Sequence, residues 1–168
     1  HYVTVVPQSP YCFNGTLADN LRLFDPTISR EDMIAAAKTA CAAPFIERLP
    51  NTYDYQLLPG AANLSHGQRQ LLALARALLH NPHGILVLDE ATSNIDTETE
   101  EYIQQGLTQV LKNRTSIIIA HRLSTIQRAN KILVMHKGKL AEQGSHQQLL
   151  AQKGIYHRLY QLQYSALE

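Results

Sequence analysis

Two short apolar runs along the chain contain no polar positions. Ile85–Leu88 and Ile117–Ile119 are continuous rather than alternating, a pattern typical of strands that are buried on both faces of a parallel sheet. Between them, apolar residues recur at helical spacing, namely Ile103, Leu107, Val110 and Leu111. The order strand, helix, strand therefore predicts a βαβ unit with a parallel crossover.

Helical spacing is most pronounced between Ser65 and His80. One stripe of this segment is apolar and contains Leu71, Leu74, Ala75 and Leu78, which predicts a helix with one buried face. Ser65 and Gln68 have the spacing of a capping box, in which each residue satisfies a backbone N–H of the other. Asn81-Pro82 is expected to end this helix.

Upstream of that helix, residues 10–63 are predicted to form helices and loops. Thr16 and Ser29 are each followed three positions later by an aspartate. Both serve as predicted N-caps, because a hydroxyl oxygen can accept one of the free N–H groups at a helix start.

The two ends of the chain carry local signals as well. Residues 1–6 are rich in valine and are predicted to form a strand that Pro7 ends. Residues 132–142 are predicted to form a hairpin with its turn at Lys137-Gly138. Two helices, over residues 145–152 and 154–164, are expected to close the chain.

Composition narrows the function classes. The 168 residues fit one domain, with 45% hydrophobic and 17% charged residues, which are ordinary globular values. The formal net charge of +1 gives no electrostatic reason to expect nucleic acid as a partner. No apolar run approaches the roughly 20 residues that span a bilayer. His1 stands inside a predicted strand, so the chain is expected to be a fragment of a longer protein.

Candidate chemistry follows the two apolar runs. The first run leads directly into Asp89-Glu90, and the second leads through Ala120 into His121. In open α/β sheets ligands bind beyond the carboxyl ends of the strands, so two carboxylates and an imidazole are expected at one edge. The first acid can hold Mg²⁺, and the second can orient or deprotonate an attacking water. The alternative is a strand that merely ends in a surface loop.

A second candidate is the predicted helix start Leu64–Gln68. A helix N-terminus presents free backbone N–H groups and the positive end of its dipole, which together attract anions. Gly67 has no side chain and would let a phosphate approach the backbone. The alternative is an ordinary capping box formed by Ser65 and Gln68 without any ligand.

Taken together, these segments resemble the motifs of one family. Leu64–Gln68 resembles the signature motif of ABC transporters, and Ile85–Ser93 resembles Walker B and its continuation. Ser93–Asp96 is similar to the D-loop, 119–125 to the switch-histidine segment, and Pro7–Phe13 to the Q-loop. Because the motifs also occur in family order, the chain resembles an ABC nucleotide-binding domain.

The resemblance is greatest to exporter-type cassettes. Phe13–Leu17 with Asn20-Leu21 is similar to the exporter sequence after the Q-loop, and Gly144–Tyr156 is similar to the exporter tail. The nearest likeness is to bacterial multidrug-resistance-like half-transporters. The fold that this implies is α/β: a P-loop NTPase (RecA-like) cassette core with an inserted helical subdomain, its N-terminal part missing.

This likeness also divides residues 1–168 into three parts of a partial nucleotide-binding domain. Residues 1–9 correspond to a core strand and the Q-loop, 10–80 to the helical subdomain with the signature helix, and 81–168 to the C-terminal part of the catalytic core.

The resemblance implies catalytic and metal-binding roles at the edge of the sheet. Asp89 would support Mg²⁺, and Glu90 would act as the catalytic base. His121 would contact the γ-phosphate of ATP. Gln8 would contact Mg²⁺ and the attacking water, and would relay the state of the site to a membrane domain.

Further residues would bind nucleotide across a dimer. Two cassettes of this family pair head to tail, so Ser65 and Gly67 would hold the γ-phosphate of ATP bound to the partner cassette, flanked by His66 and Gln68. Asp96 would organise contacts across the dimer. His66 departs from the family, whose signature has a second glycine at this position.

At the level of function, the resemblance implies ATP hydrolysis with Mg²⁺ that drives export across a membrane. The expected partners are a second nucleotide-binding domain and a transmembrane domain outside this chain, and not nucleic acid. The expected location is the cytoplasmic face of the inner membrane. Two alternatives remain: a soluble ABC ATPase acting on DNA or ribosomes, and a non-enzymatic partner that donates only its signature motif.

One family motif is absent from the sequence. A phosphate-binding loop needs G-x-x-x-x-G-K-[ST], and the only Gly-Lys pair, Gly138-Lys139, is followed by Leu140. The chain is therefore expected to be truncated before this Walker A loop and to be incompetent as an ATPase by itself.

Overall fold

A computed structural model of the protein describes residues 2–89, 97–120 and 123–165. These residues form two units, divided between Ile119 and Ala120. The elements of the first unit are β1 (Val3–Val6), β2 (Gly15–Thr16), α1 (Leu17–Arg22), α2 (Arg30–Thr39), α3 (Ala43–Ile46), β3 (Gln56–Leu57), α4 (His66–His80), β4 (Ile85–Asp89), α5 (Thr97–Leu111) and β5 (Ser116–Ile119). Short 3₁₀ helices at Thr52–Asp54 and Pro59–Ala61 flank β3. The second unit contains α6 (Leu123–Gln127), β6 (Ile132–His136), β7 (Lys139–Gly144), α7 (His146–Gln152) and α8 (Ile155–Ser165).

A three-stranded parallel sheet carries the candidate carboxylate. Its strand order is β1-β4-β5, with Val6 opposite Leu88 and Asp89 opposite Ile119. The predicted strand–helix–strand unit is thus confirmed as β4, α5 and β5, with β4 and β5 parallel. Because all three strands run in one direction, their carboxyl ends meet at one edge.

The two faces of this sheet differ in burial. Leu86 and Leu88 are buried in the core of the first unit, together with side chains of α4 and α5. At other strand positions the side chains are exposed: Val5 of β1 to 60% and Ile117 of β5 to 58%. In this chain the residues bury only alternate strand positions, instead of both faces as is typical of such apolar runs.

The two N-caps predicted upstream of α4 are confirmed. Thr16 Oγ1 accepts the N–H of Asp19 at 3.0 Å, and Asp19 Oδ2 accepts the N–H of Thr16 at 2.9 Å, which completes a capping box. Ser29 Oγ accepts the N–H of Asp32 at 3.0 Å. The Asp32 carboxylate accepts a hydrogen bond from the Ser29 hydroxyl and not from the backbone N–H of Ser29. These caps fix where α1 and α2 begin.

Close packing of α5 against α2 depends on Gly106. A Cβ at this position would overlap the carbonyl oxygen of Ala40 and would lie 3.0 Å from its carbonyl carbon. Both residues are buried, so the backbones have little room to separate.

Gly106→Ala is accordingly expected to destabilise the protein by about 1–3 kcal/mol, the usual cost of overpacking a core. This loss outweighs the helix propensity of alanine, which favours the variant by about 1 kcal/mol. The midpoint of urea unfolding, followed by circular dichroism, measures the difference. Gln109→Ala, at an exposed position of the same helix, is the control and should change stability by less than about 0.5 kcal/mol. A stabilised Gly106→Ala variant would contradict the predicted close contact.

In the second unit, the predicted hairpin and the two following helices are confirmed. Strands β6 and β7 pair antiparallel, and the turn residues Lys137 and Gly138 have φ values of 49° and 75°, as a tight hairpin turn requires. The Glu142 carboxylate accepts the N–H groups of Ile155 and Tyr156 at the start of α8. These two hydrogen bonds hold the pKa of Glu142 below its usual value.

The division of the chain into three parts, with boundaries after residues 9 and 80, stays a prediction.

Candidate functional site

The carboxyl edge of the sheet brings two of the predicted residues together. Asp89 is the last residue of β4 and is half-buried, whereas Gln8 follows β1 by two residues and is exposed. Val6 and Leu88 are register partners, so Gln8 and Asp89 both lie just beyond the same pair of strand positions. The predicted residues Glu90, Asp96 and His121 lie outside the described residues.

The second predicted group lies at the start of α4. Ser65 is the N-cap: its Oγ accepts the N–H of Gln68 at 3.1 Å, and Gln68 Oε1 accepts the N–H of Ser65 at 2.9 Å. The predicted capping box is therefore confirmed. Ser65 is exposed, His66 and Gln68 are half-buried, and Gly67 is buried.

Capping leaves part of this helix start available. The N–H of Arg69 bonds to the carbonyl of Ser65, and that of Gln68 is taken by the Ser65 side chain. The N–H groups of His66 and Gly67 have no acceptor among the residues that the structure describes. Since α4 has 15 residues, its dipole adds positive potential at the same end. The arrangement can thus accept an anion next to the exposed Ser65 hydroxyl.

Arg69 supports the turn that leads into this helix. Its guanidinium Nη1 donates to the carbonyl oxygens of Leu64 at 2.7 Å and of Ala61 at 3.3 Å. These bonds hold the carbonyl directly before the N-cap and one four residues before it, and they fix the direction from which the chain enters α4. The N-terminus of α4 is therefore held from both sides of Ser65.

The donor chemistry at the sheet edge fits Mg²⁺ bound together with phosphate. Asp89 offers a carboxylate and Gln8 an amide oxygen, and Mg²⁺ in nucleotide sites takes one or two protein oxygens together with phosphate and water oxygens. Across the described ranges, no three His, Cys, Asp or Glu side chains come together as a metal-binding group. The oxygens of Asp89 and Gln8 thus fit a Mg²⁺ ion that is bound together with phosphate.

Two functional candidates escaped the sequence interpretation. Asn20 is fully buried in α1, and Arg76 of α4 donates to it from a distance of 56 residues along the chain. Burial lowers the pKa of the Arg76 guanidinium, although its interaction with Cys12 partly opposes this effect. The signal in the sequence was the charged residue within Ala75-Arg76-Ala77, in an otherwise apolar part of the helix.

Comparison with known proteins gives both a family and relatives. The family model for ABC transporters matches residues 1–93. A lipid A-core flippase of Chromobacterium violaceum is 50% identical over 164 residues, which are 98% of this chain and 28% of the flippase. An ABC transporter ATP-binding protein of Bacillus subtilis, YfiC, is 50% identical over 159 residues, which are 95% of this chain and 26% of that protein.

A solved structure is similar as well. The structure of a bacterial Atm1-family ABC exporter with ATP bound matches with a TM-score of 0.85 and 44% identity, over 96% of this chain and 28% of the exporter chain. This similarity confirms the predicted fold class, an α/β cassette core with a helical subdomain. The chain spans between 26% and 28% of the length of these relatives.

Among the helices within residues 2–89, 97–120 and 123–165, none combines the length and the apolar character that crossing a bilayer requires.

Proposed function

The chain belongs to the ABC transporter family, and from this premise we propose that, in the complete protein, it forms part of the domain that binds and hydrolyses ATP to drive export. One observation carries the proposal. A capped helix start with the signature sequence and a parallel sheet edge with Asp89 and Gln8 occur within one unit of the cassette fold.

At the sheet edge, this chain's own residues are proposed to position metal and water. ATP bound with Mg²⁺ supplies the phosphoryl group and the metal charge. Asp89, half-buried at the end of β4, contributes its carboxylate to the metal. Gln8, exposed beyond β1, contributes an amide that can contact both the metal and the attacking water. Positioning of this kind provides most of the catalysis in phosphoryl transfer.

Glu90 and His121 complete the proposed catalytic group. Glu90 follows Asp89 directly, and its carboxylate accepts the proton of the attacking water. His121 follows the end of β5 by two residues and donates a hydrogen bond to the γ-phosphate.

The start of α4 is proposed to serve a second ATP site. In a head-to-tail dimer, the Ser65 hydroxyl and the free N–H groups of His66 and Gly67 face the γ-phosphate of ATP held by the partner cassette. Gln68 keeps Ser65 in place through the capping box. Asp96 is assigned to contacts across the same dimer.

We further propose a transmembrane domain as the second partner, which places this cassette at the cytoplasmic face of the inner membrane. The relatives named above are a flippase, a transporter ATP-binding protein and an exporter. Their names favour export over the alternative of a soluble ATPase that acts on DNA or ribosomes.

Phosphate release by the full-length protein in lipid vesicles tests the proposal. We expect steady hydrolysis of ATP that requires Mg²⁺ and stops when the metal is chelated. Full-length protein that is correctly inserted and binds ATP, but releases no phosphate, would contradict the enzymatic function and favour the non-enzymatic role of donating the signature motif.

The 168-residue chain alone is expected to release no phosphate above background. Its sequence contains no G-x-x-x-x-G-K-[ST], the loop whose backbone and lysine hold the β- and γ-phosphates in these enzymes. Titration of the purified chain with ATP and Mg²⁺, followed by a phosphate-release assay, measures this, with the full-length protein as the positive control. Stoichiometric binding with steady turnover would mean that the chain holds phosphate by other residues.

A further inference from the structure

Arg76 joins three parts of the first unit through one guanidinium. Its Nε donates to the carbonyl oxygen of Asn20 at 2.7 Å, and its Nη2 donates to Asn20 Oδ1 at 2.7 Å. Its Nη1 donates to the carbonyl oxygen of Tyr11 at 2.5 Å. The side chain thus connects α4 to α1 and to the segment that follows Gln8.

Asn20 extends these contacts to the next residues of that segment. Its amide nitrogen donates to the carbonyl oxygens of Phe13 at 2.9 Å and Thr16 at 3.0 Å, and its Oδ1 accepts the N–H of Phe13 at 2.8 Å. Residues 11–13 belong to no helix or strand. Their backbone is therefore held by two side chains from the helices.

The surroundings make this network sensitive to geometry. Asn20 is fully buried, next to the buried side chains of Leu17 and Leu21 in α1. No carboxylate among the described residues forms an ion pair with Arg76. The partners of its half-buried charge are the oxygens of Asn20 and Tyr11 and the side chain of Cys12. Displacing residues 11–13 without α4 would break the charge-assisted bond from Arg76 to Tyr11. It would also break the two part-buried bonds between Asn20 and Phe13.

The network contacts elements that carry both parts of the proposed site. Tyr11 lies three residues after Gln8, and Arg76 lies on the same helix as the capping residue Ser65. Arg76 follows Ser65 by 11 residues, which is roughly 16 Å along α4 at 1.5 Å per residue.

We propose that Arg76 and Asn20 form a connector that couples the position of residues 11–13, three to five positions after Gln8, to the position of the signature motif at the start of α4. Arg76 is in this view a positioning residue, which acts on ATP hydrolysis through Ser65 and Gln8 and touches neither nucleotide nor metal. The inference rests on the function proposed above, because that function assigns ATP hydrolysis to Gln8 and to the signature motif.

Arg76→Lys in the full-length protein is the primary variant. Lysine keeps the charge but replaces a planar fork of donors by a single ammonium, which cannot satisfy three acceptors in the same geometry. In lipid vesicles we expect kcat for ATP hydrolysis to fall about tenfold, with KM for ATP changed by less than about twofold. The KM should hold because Arg76 does not contact nucleotide.

A double-mutant cycle separates coupling from simple destabilisation. If Arg76 acts through the signature motif, Arg76→Lys combined with Ser65→Ala should hydrolyse ATP at the rate of Ser65→Ala alone, within about twofold. The same non-additivity is expected with Gln8→Ala. A brace that only stabilises the fold would give effects that multiply in both cycles.

Arg114→Lys is the matched control. The Arg114 guanidinium also donates to two backbone carbonyls, those of Asn81 and Pro82, and burial lowers its pKa as it does that of Arg76. These contacts lie beyond the C-terminal end of α4 and do not reach residues 11–13. Its kcat should stay within about twofold of the unchanged protein.

If Arg76→Lys fails to fold or insert, Asn20→Asp replaces it. Aspartate retains oxygens for Arg76 but loses the amide donors to Phe13 and Thr16, so the link to residues 11–13 weakens while the contact between α1 and α4 remains. The proposal predicts the same fall in kcat and the same non-additivity with Ser65→Ala.

The outcomes separate the inference from the function on which it rests. If the unchanged protein hydrolyses ATP and Ser65→Ala slows it, but the variants at Arg76 and Asn20 act additively or no more strongly than Arg114→Lys, the connector is overturned and the function stands. If the unchanged protein does not hydrolyse ATP, both fail. Non-additive losses of kcat at constant KM support the connector.

Discussion

Glu90→Gln in the full-length protein is expected to bind ATP normally and to hydrolyse it about 10²–10⁴-fold more slowly. Glutamine preserves the size and polarity of the side chain but cannot accept the proton of the attacking water. Asp89 and Gln8 remain at the same edge of the sheet, so nucleotide and metal binding should persist. Binding is measured with labelled ATP, and turnover by phosphate release under identical conditions.

A second glutamate-to-glutamine change controls for the chemistry of this substitution. Glu101 is exposed on α5, and Glu101→Gln should leave turnover within about twofold of the unchanged protein. If Glu90→Gln also turned over near the normal rate, Glu90 would not be the base, and the proposed mechanism at the sheet edge would need another proton acceptor.

Elements with local signals could be predicted from the sequence. The start of α4 follows from Ser65 and Gln68 at capping-box spacing, and the structure has both reciprocal hydrogen bonds. The hairpin of β6 and β7 follows from two β-rich runs around Lys137-Gly138. In each case the residues that determine the element lie within a few positions of one another, so a single sequence contains the necessary information.

Which faces of the parallel sheet are buried could not be predicted from the apolar runs alone. Ile117 and Ile119 belong to a continuous apolar run, which predicted burial on both faces, but both are more than half exposed. An apolar run reports the character of the side chains and not which other layers cover them. The helices of this chain pack on one set of strand positions, as the buried Leu86 and Leu88 indicate.

Long-range polar contacts were the other part that the sequence could not provide. Arg76 and Asn20 are separated by 56 residues, and the pairing of β2 with β3 involves only two residues of each strand. Neither contact produces a local pattern. For the candidate site, strand direction predicted Asp89, Glu90 and His121 at one edge, and the family resemblance added Gln8. The structure has Asp89 at the end of β4 and Gln8 two residues beyond β1, and the roles of all four residues stay predictions.

Ser65→Ala in one subunit of a dimer is expected to slow hydrolysis at the site of the other subunit by about 10²-fold, a typical loss for one well-placed hydrogen-bond donor to a developing charge. The reason is the geometry of the helix start. The Ser65 hydroxyl is exposed, while its oxygen already caps the N–H of Gln68, so its proton is available to a ligand outside its own subunit. Loss of the cap itself should cost only about 1 kcal/mol of stability.

Mixed dimers that combine Ser65→Ala with Glu90→Gln decide which subunit the serine serves. In a head-to-tail dimer each site uses Glu90 of one subunit and Ser65 of the other. With the two changes on different subunits, both fall in the same site, and about half of the activity should remain if the sites work independently. With both changes on one subunit, each site carries one defect and activity should be nearly lost. A dimer with Glu90→Gln alone on one subunit measures how independent the sites are.

The opposite ranking, with more activity when both changes share a subunit, would mean that Ser65 contacts the nucleotide of its own subunit. The start of α4 would then have to face the edge that carries Asp89 within one chain.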